Sequence, residues 1–436
     1  MPTNTLNHTP TANRTHIGIF GKRNAGKSSL INALTEQDIA IVSDTKGTTT
    51  DPVYKAMELL PLGPVVIIDT PGLDDLGNLG ALRIKKAYEV LNKTDLALLV
   101  VDITAGITAE DKEILTRIQK KKIPHVLVFN KSDLLSKASS LPTNNLAELS
   151  ANNLAELSAN NLAELSANNL PTHSTLPQAP NHRLTVSTIT GENISVLKEL
   201  IATLAKEDKT PVPLVRDLIA SGDFVVLVTP IDESAPKGRL ILPQQQMIRD
   251  ILEGDANAIV LQETQLEHTM ANLGRKPALV ITDSQIFAYV NERVPKEIPL
   301  TSFSILFARY KGILETAVAG AFTLDNLNDG NQVLISEGCT HHRQCNDIGT
   351  VKLPKWITEY TKKQLTFDFT SGTAFPDNLS AYACIIHCGG CMLNEREVKY
   401  RMQIASEQGI PMTNYGTAIA KMHGILERSI EPFQPL

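Results

Sequence analysis

The chain has 436 residues, room for about three domains, and its 42% hydrophobic and 20% charged content permits ordinary packed cores. A net charge of −6 argues against a general nucleic-acid binder, which needs a basic face to neutralise phosphates. No run of about 18 apolar residues occurs, so no membrane-spanning helix is expected, and the polar opening MPTNTLNHTPTANRTH reads as a disordered leader (1–13) on a cytoplasmic protein.

From residue 14 onward, short apolar strands alternate with helical segments. HIGIFG (16–21), VVIID (65–69), LALLVVDI (96–103), HVLVFN (125–130) and LTVST (184–188) read as buried parallel strands with helices between them. That rhythm predicts an α/β domain over 14–208 with its ligand at the carboxyl ends of the strands. One interruption spans about 136–182. There NNLAELSA runs three times unchanged from Asn144 to Ala167, with leucines alternately three and five apart. A helix of that sequence carries only a narrow apolar stripe, so the segment reads as an expanded surface insertion, partly helical at most and without chemistry.

Pro211 and Pro213 stiffen a linker, after which a second α/β pattern occupies 214–328. It contains FVVLVTP, the helix QQQMIRDILE, AIVLQE, ALVITD and an amphipathic helix near 303–320. A third pattern, 330–436, runs through QVLISEGC, LTFDF and AYACIIHCGGC to helices at 395–408 and 416–428. The turn-rich DNLNDG marks the joint between them. The expected fold is therefore α/β throughout: a larger first domain followed by two smaller doubly wound α/β domains.

Gly21-Lys22-Arg23-Asn24-Ala25-Gly26-Lys27-Ser28 fits G-x-x-x-x-G-K-S/T between a strand and a helix, the context that motif requires. Its glycines let backbone N–H groups turn toward phosphate oxygens, with Gly21, Asn24, Ala25, Gly26, Lys27, Ser28 and Ser29 the expected nucleotide-binding residues. Lys27 can reach the β- and γ-phosphates, and Ser28 can ligate Mg²⁺. Asp69-Thr70-Pro71-Gly72 ends a strand, placing a carboxylate near the metal and the Gly72 N–H near the γ-phosphate. Between them Gly47-Thr48-Thr49-Thr50-Asp51 can supply a hydroxyl, Thr48 or Thr49, with Thr49 the expected Mg²⁺ ligand. Asn130-Lys131-Ser132-Asp133 closes a further strand. The Asp133 carboxylate can accept two hydrogen bonds from the guanine N1–H and N2–H₂ edge, which adenine does not present. Ser187-Thr188 then offers a backbone N–H to the guanine oxygen. The expected ligand is GTP, which makes 14–208 a P-loop GTPase domain in expectation, with Lys27, Asn24 and Thr49 nearest the chemistry.

These motifs in this order resemble the translation-factor-related GTPases, especially their tRNA-modification (MnmE/TrmE-like) branch, over 16–208 without the insertion. Two consequences follow from the resemblance. Leu73 stands where many regulatory GTPases have the glutamine that orients the attacking water, which implies slow intrinsic hydrolysis. Asn24 matches the P-loop asparagine that ligates activating potassium in that branch, which implies K⁺ where an arginine finger would place its charge. The plainer alternative is an asparagine that only caps the loop.

All five cysteines lie in the last hundred residues: Cys339, Cys345, Cys384, Cys388 and Cys391. In a cytoplasmic chain such clustering points to metal or redox chemistry more than to disulfides. Cys339-Thr340-His341 and His387-Cys388-Gly389-Gly390-Cys391 are the two halves of the constellation. Cys388 and Cys391 on a glycine turn can direct both thiolates at one centre, and Cys339 can approach from the neighbouring strand end. Three thiolates plus one N or O ligand suit either a [4Fe–4S] cluster or Zn²⁺, and spacing alone does not separate them. His341 and His387 are each candidates as ligand or as hydrogen-bond donor behind a ligand. Asp347 could offer a carboxylate, and His342 reads as incidental. Cys384, in an apolar strand, and Cys345, off the pattern, read as structural.

With these parts combined, residues 14–436 resemble the HydF family, maturation GTPases of [FeFe]-hydrogenase. The runs VVLVTPIDESAPKGRLILPQQQMIRD and NYGTAIAKMHGIL are similar to that family as well. The resemblance implies a homodimer joined through 214–328 and a [4Fe–4S] cluster on Cys339, Cys388 and Cys391. It also implies a scaffold for a diiron precursor made with the radical-SAM maturases HydE and HydG and delivered to apo [FeFe]-hydrogenase, with no nucleic-acid or membrane partner. A different class of protein is a tRNA- or ribosome-directed GTPase whose last domain is a structural zinc module. The acidic balance and the lack of a basic stripe in 330–436 count against it. A redox switch would instead require a reversible Cys388–Cys391 disulfide.

Overall fold

The computed structural model describes residues 10–36, 52–72, 78–138, 182–206, 212–231, 240–338, 347–372 and 374–433. Residues 14–209 form one compact unit and residues 210–436 belong to a second. Within the expected leader, Thr11–Asn13 forms a single 3₁₀ turn.

The first unit is built on six strands: β1 (Thr15–Phe20), β2 (Val53–Leu59), β3 (Gly63–Asp69), β4 (Leu96–Asp102), β5 (His125–Asn130) and β6 (His182–Thr185). They lie in the order β2-β3-β1-β4-β5-β6, parallel except for the antiparallel β2–β3 pair. Period-two alternation sends Ile17, Ile19, Val65, Ile67, Leu96 and Leu98 into one core and Phe20, Val66, Ile68, Ala97 and Leu99 into the other. Both faces are covered, which is why these strands read as unbroken apolar runs. The edge strand β2 (VYKAMEL) alternates half-buried and exposed residues and carries no such run. Pairing of β6 with β5 continues one residue beyond the strand, through Val186 N–H to Phe129 O at 2.8 Å, before the chain turns at Ser187.

The second unit holds two parallel four-stranded sheets. One comprises β7 (Phe224–Val228), β8 (Asn257–Leu261), β9 (Leu279–Thr282) and β10 (Leu300–Ser302) in the order β10-β9-β7-β8. The other comprises β11 (Gln332–Ser336), β12 (Thr366–Thr370), β13 (Tyr382–His387) and β14 (Met412–Asn414) in the order β12-β11-β13-β14. In each, the first strand is internal and the chain winds outward both ways, the doubly wound arrangement expected.

Two helices expected as continuous are broken. The segment near 303–320 is two helices, Phe303–Tyr310 and Leu314–Ala321, and the one near 416–428 is Tyr415–Met422 followed by Leu426–Ile430. The cause is a glycine in the left-handed region at each break, Gly312 (φ 67°) and Gly424 (φ 68°). At the first break Gly312 N–H donates to Arg309 O and Ile313 N–H to Ala308 O, both at 2.9 Å, which closes the helix end as a Schellman motif. One core runs through both sheets, from Val226 and Ile281 to Ile385, Met402 and Met412. At the seam a Cβ on Gly320 would lie 2.2 Å from Met412 O, and Thr413 Oγ1 donates to Ala317 O at 2.7 Å. Among the described residues no helix is long and apolar enough to cross a membrane.

Candidate functional site

The first site lies at the carboxyl ends of β1, β3, β5 and β6. Between β1 and the helix Lys27–Thr35 the chain takes positive φ at Gly21 (142°), Asn24 (59°) and Gly26 (92°), which curls the loop. Neither end of it accepts a side chain. A Cβ on Gly21 would sit 2.2 Å from Val100 O, and one on Gly26 would sit 2.2 Å from Asn130 Nδ2. Lys27 is buried, and its Nζ donates to Gly21 O (2.9 Å) and Lys22 O (2.7 Å), so the ammonium lies folded across the loop it would serve. Ser28 Oγ donates to Asp69 Oδ2 at 3.1 Å, which joins two of the expected metal-side residues. Burial pushes the Asp69 carboxyl up, against the pull of the Lys27 ammonium. Asp69 Oδ1 is buried without a partner among the described residues. A hydroxyl beside a carboxylate with a spare oxygen is a donor set that suits Mg²⁺. Thr70 Oγ1 donates to Ile19 O (2.6 Å), pinning the Asp69–Gly72 turn to β1.

On the base side, Asn130 ties two loops together. Its Nδ2 donates to Ala25 O (3.2 Å), and its Oδ1 accepts from Thr188 N–H (3.3 Å). Ser187 is fully buried; its Oγ donates to Asp133 Oδ1 (2.7 Å) and accepts from the Ile189 and Thr190 N–H groups. The carboxylate read as the guanine selector is thus held in one orientation by the loop expected to meet the guanine oxygen. Lys131, at φ 70°, pairs with Asp102 at 2.6 Å. Burial would raise the Asp102 carboxyl, but the bonds from Lys131 and Thr104 hold it below the usual range. Asp102 was not foreseen from the sequence. Its signal was a lone carboxylate ending the apolar run LALLVVD, in register with Asn130 on the neighbouring strand. Thr48, Thr49 and Leu73 lie outside the described residues.

The second site lies at the carboxyl ends of β11 and β13. Cys388 N–H donates to Ser336 O (2.9 Å), extending that pairing by one residue, and Gly390 (φ 66°) then turns the chain so that Cys391 returns to the core. The N–H groups of Gly338 (3.0 Å) and Gly390 (3.4 Å) donate to Cys388 Sγ. Burial pushes the Cys388 thiol up, with those N–H groups opposing it. The Cys391 thiol is pushed up to about 12 by burial and by Cys388, with Lys311 opposing. N–H···S bonds on a half-buried thiol pair suit metal-bound thiolates, because a bound cation would supply the charge that burial withholds. Cys339, His341, His342 and Cys345 lie outside the described residues, but Gly338, the sequence neighbour of Cys339, touches the Cys388 sulfur. Among the described residues no group of three or more His, Cys, Asp or Glu side chains gathers to hold a metal. Cys384 is fully buried in β13, and burial pushes its thiol up to about 12, in keeping with a structural role.

His387 is fully buried, and both ring nitrogens are in use. A carbonyl only accepts, so Nδ1 carries the proton that meets Cys388 O at 2.7 Å, leaving Nε2 to accept from Arg401 at 3.2 Å. Burial, reinforced by the Arg401 charge, pushes His387 down to about 3, so the ring is neutral. In this arrangement both ring nitrogens are engaged, one at the Cys388 carbonyl and one at Arg401. Arg401 is itself fully buried in the helix Glu395–Glu407. It pairs with Glu397 (3.0 Å) and donates to Ser336 Oγ (3.3 Å) and Gly372 O (2.8 Å). Asp347 is also buried, and one of its oxygens accepts from Thr350 N–H (2.8 Å) and Thr350 Oγ1 (2.9 Å).

A glycine-curled loop with a lysine over it, a serine–aspartate pair and an asparagine-tied base loop define a P-loop GTPase domain. Residues 16–131 match the family model described as a 50S ribosome-binding GTPase. Residues 214–312 match the hydrogen maturase F dimerization domain and residues 315–432 the hydrogen maturase F tetramerization domain. The chain belongs to the hydrogen maturase F family, with a G domain of the MnmE kind. It is 44% identical over 127 residues to the tRNA modification GTPase MnmE of Chromobacterium violaceum, across 29% of this chain and 28% of that protein. With GTPase Der of Kosmotoga olearia it shares 36% over 126 residues, 28% of either chain. The chain thus spans 28% of the length of these curated relatives. Among solved structures, Aquifex aeolicus Era bound to GDP·AlF₄⁻ is 20% identical and covers 57% of this chain and 92% of its own, with a TM-score of 0.32.

Proposed function

We propose that this chain hydrolyses GTP in its first unit and carries an iron–sulfur centre at the end of its last sheet. In that role it is a scaffold that assembles the diiron precursor and delivers it to apo [FeFe]-hydrogenase. The observation that carries the reading is the Cys388–Cys391 turn, with Cys388 bonded by two backbone N–H groups, inside a region matching hydrogen maturase F. Cys339, Cys388 and Cys391 would hold a [4Fe–4S] cluster. With three protein thiolates, such a cluster keeps one iron open to an exchangeable ligand, which a carrier needs. His341 remains a candidate for that position, and His387 supports Cys388 from behind. Radical-SAM maturases HydE and HydG would supply the precursor, in the cytoplasm.

At the nucleotide site Lys27 would meet the β- and γ-phosphates, and Ser28 and Thr49 would hold Mg²⁺. Asn24 would hold K⁺, and Asp133 would select guanine. Turnover would be slow, since Leu73 offers no amide to orient water. Homodimerisation is supported by β8, an edge strand of its sheet that leaves Val260 40% exposed within the region matching the dimerization domain.

Anaerobic purification tests the reading. The wild type should be brown and contain iron and sulfide, whereas Cys388→Ser should be colourless yet still turn over GTP. Co-expressing apo-hydrogenase with and without the chain tests delivery. Zinc in place of iron in the wild type would favour the structural-module reading instead.

A further inference from the structure

The cysteine turn has a neighbour from the other sheet of its unit. Lys311 closes the helix Phe303–Tyr310, where Gly312 breaks what the sequence suggested was one long helix. The break turns Lys311 inward. It is 1% exposed, among the most buried large side chains of the chain, and its Nζ donates to Leu393 O at 2.7 Å, two residues beyond Cys391. The tether crosses the seam between the matched dimerization and tetramerization regions. Arg401, the other buried cation here, lies behind Cys388, where Glu397 at 3.0 Å matches its charge. Glu337, buried at the end of β11, also faces Cys388. Lys311 acts on the Cys391 side.

We propose that Lys311 is a positioning residue of the cysteine site: its buried ammonium fixes the 389–393 turn through Leu393 O and supplies positive charge to the anionic metal centre the cysteines would hold. The inference rests on the iron–sulfur reading above. Three thiolates leave such a centre negatively charged, and taking up one electron makes it more so. A buried cation nearby stabilises the reduced form more than the oxidised one, because low-dielectric surroundings screen it little. Lysine is seldom fully buried without a role of this kind or a structural partner, so the test must separate charge from tethering.

Lys311→Gln does so. It removes the charge but keeps an N–H donor for Leu393 O, whereas Lys311→Arg keeps both. The full chain is reconstituted anaerobically with ferrous iron and sulfide. Dithionite then titrates it through mediators, with the reduced cluster read by electron spin resonance. In Lys311→Gln the reduced fraction at the wild-type midpoint should fall from one half to about one tenth, roughly a tenfold change in the reduction equilibrium. Lys311→Arg should restore it. A full cluster with the wild-type midpoint in Lys311→Gln overturns the proposal. If that variant does not yield folded protein, Lys311→Met takes its place; it removes charge and donor together, so a wild-type midpoint overturns the proposal and a lowered one that Lys311→Arg restores supports it. If the wild type binds no iron, the iron–sulfur reading fails separately, and Lys311 is judged on zinc by chelator competition. About tenfold weaker zinc binding in Lys311→Gln supports it, and equal binding overturns it. A wild type that takes neither metal removes both readings.

Discussion

The nucleotide site and the cysteine site share a plan and differ in what holds them. Each sits beyond the carboxyl ends of parallel strands, where the first strand of a sheet has a neighbour on either side and the chain winds outward in two directions. In the nucleotide site the motif residues hold one another. Ser28 meets Asp69, Asn130 meets the Ala25 carbonyl and the Thr188 N–H, and Ser187 meets Asp133. In the cysteine site His387 and Gly390 also meet Cys388, but the turn leans on side chains that belong to no motif, Arg401 behind His387 and Lys311 at Leu393, two residues past Cys391. The first kind of site can be read from sequence nearly whole. The second shows only its ligands, because its supports are single residues on distant helices.

The largest effect should come from the residue the first site holds most directly. Asp133→Asn replaces an acceptor-only carboxylate with an amide that presents a donor to a guanine donor. Two charge-assisted hydrogen bonds at roughly 1.5–3 kcal/mol each are lost, so GTP affinity should fall on the order of a thousandfold, with xanthosine triphosphate regaining part of it. Calorimetric titration with both nucleotides decides it, and unchanged GTP affinity would sink the guanine assignment. The matching test of the second site is Arg401→Met, which strands Glu397 as a buried, unpaired charge. We expect a loss of about 3–5 kcal/mol in denaturant unfolding of the second unit, with GTP affinity intact. A loss under about 1 kcal/mol would mean that water reaches Glu397 and that Arg401 supports nothing.

Most strands that line the two sites were legible because they are buried on two faces and read as apolar runs, β6 (HRLT) being the partly exposed exception. β2 escaped because it is an edge strand with alternating exposure, KAMEL-like rather than apolar. The single helix expected over 303–320 failed for a related reason. Its amphipathic period continues across Gly312, and only the positive φ that glycine permits shows that the chain stops and restarts there. Asp102 and Lys311 were missed because their partners are long-range, 29 residues away for Asp102 and Lys131 and 82 for Lys311 and Leu393. Arg401 was missed because its i,i+4 pairing with Glu397 looks like any helix surface pair until Ser336, 65 residues away, shows it buried. Cys384 shows the opposite case, since burial inside an apolar strand was enough to mark it as structural.

Smaller effects test how far the nucleotide site extends beyond its motifs. Asp102→Asn removes the charge that holds Lys131 while keeping an acceptor in place, so KM for GTP should rise about tenfold with kcat little changed. A fall in kcat at constant KM would place Asp102 in the chemistry rather than in the positioning of Lys131. Potassium sharpens the role of Asn24: turnover in KCl should exceed that in NaCl severalfold at equal ionic strength, and Asn24→Ala should abolish the difference. Equal rates in both salts would leave Asn24 a loop-shaping residue at φ 59°.

The smallest effect expected is from removing residues 144–167, the three octapeptides. They fall between the two halves of the guanine-recognition set, yet Ser187 reaches Asp133 at 2.7 Å across a sequence separation of 54. What brings the halves together is the β5–β6 ladder, with Val126 opposite His182 and Phe129 opposite Thr185, and not the length of chain that joins the strands. Closing a flexible link grows harder only with the logarithm of its length, so losing 24 residues between Ala138 and His182 should change stability by only about 0.7 kcal/mol, in the favourable direction. GTP affinity should not move, because the base-site residues Asn130, Asp133, Ser187 and Thr188 hold one another directly. Thermal unfolding and nucleotide titration of the shortened chain measure both. A fall of several degrees in melting temperature would show that the repeat packs on the first unit, and a weaker GTP affinity would show that it touches the base loop.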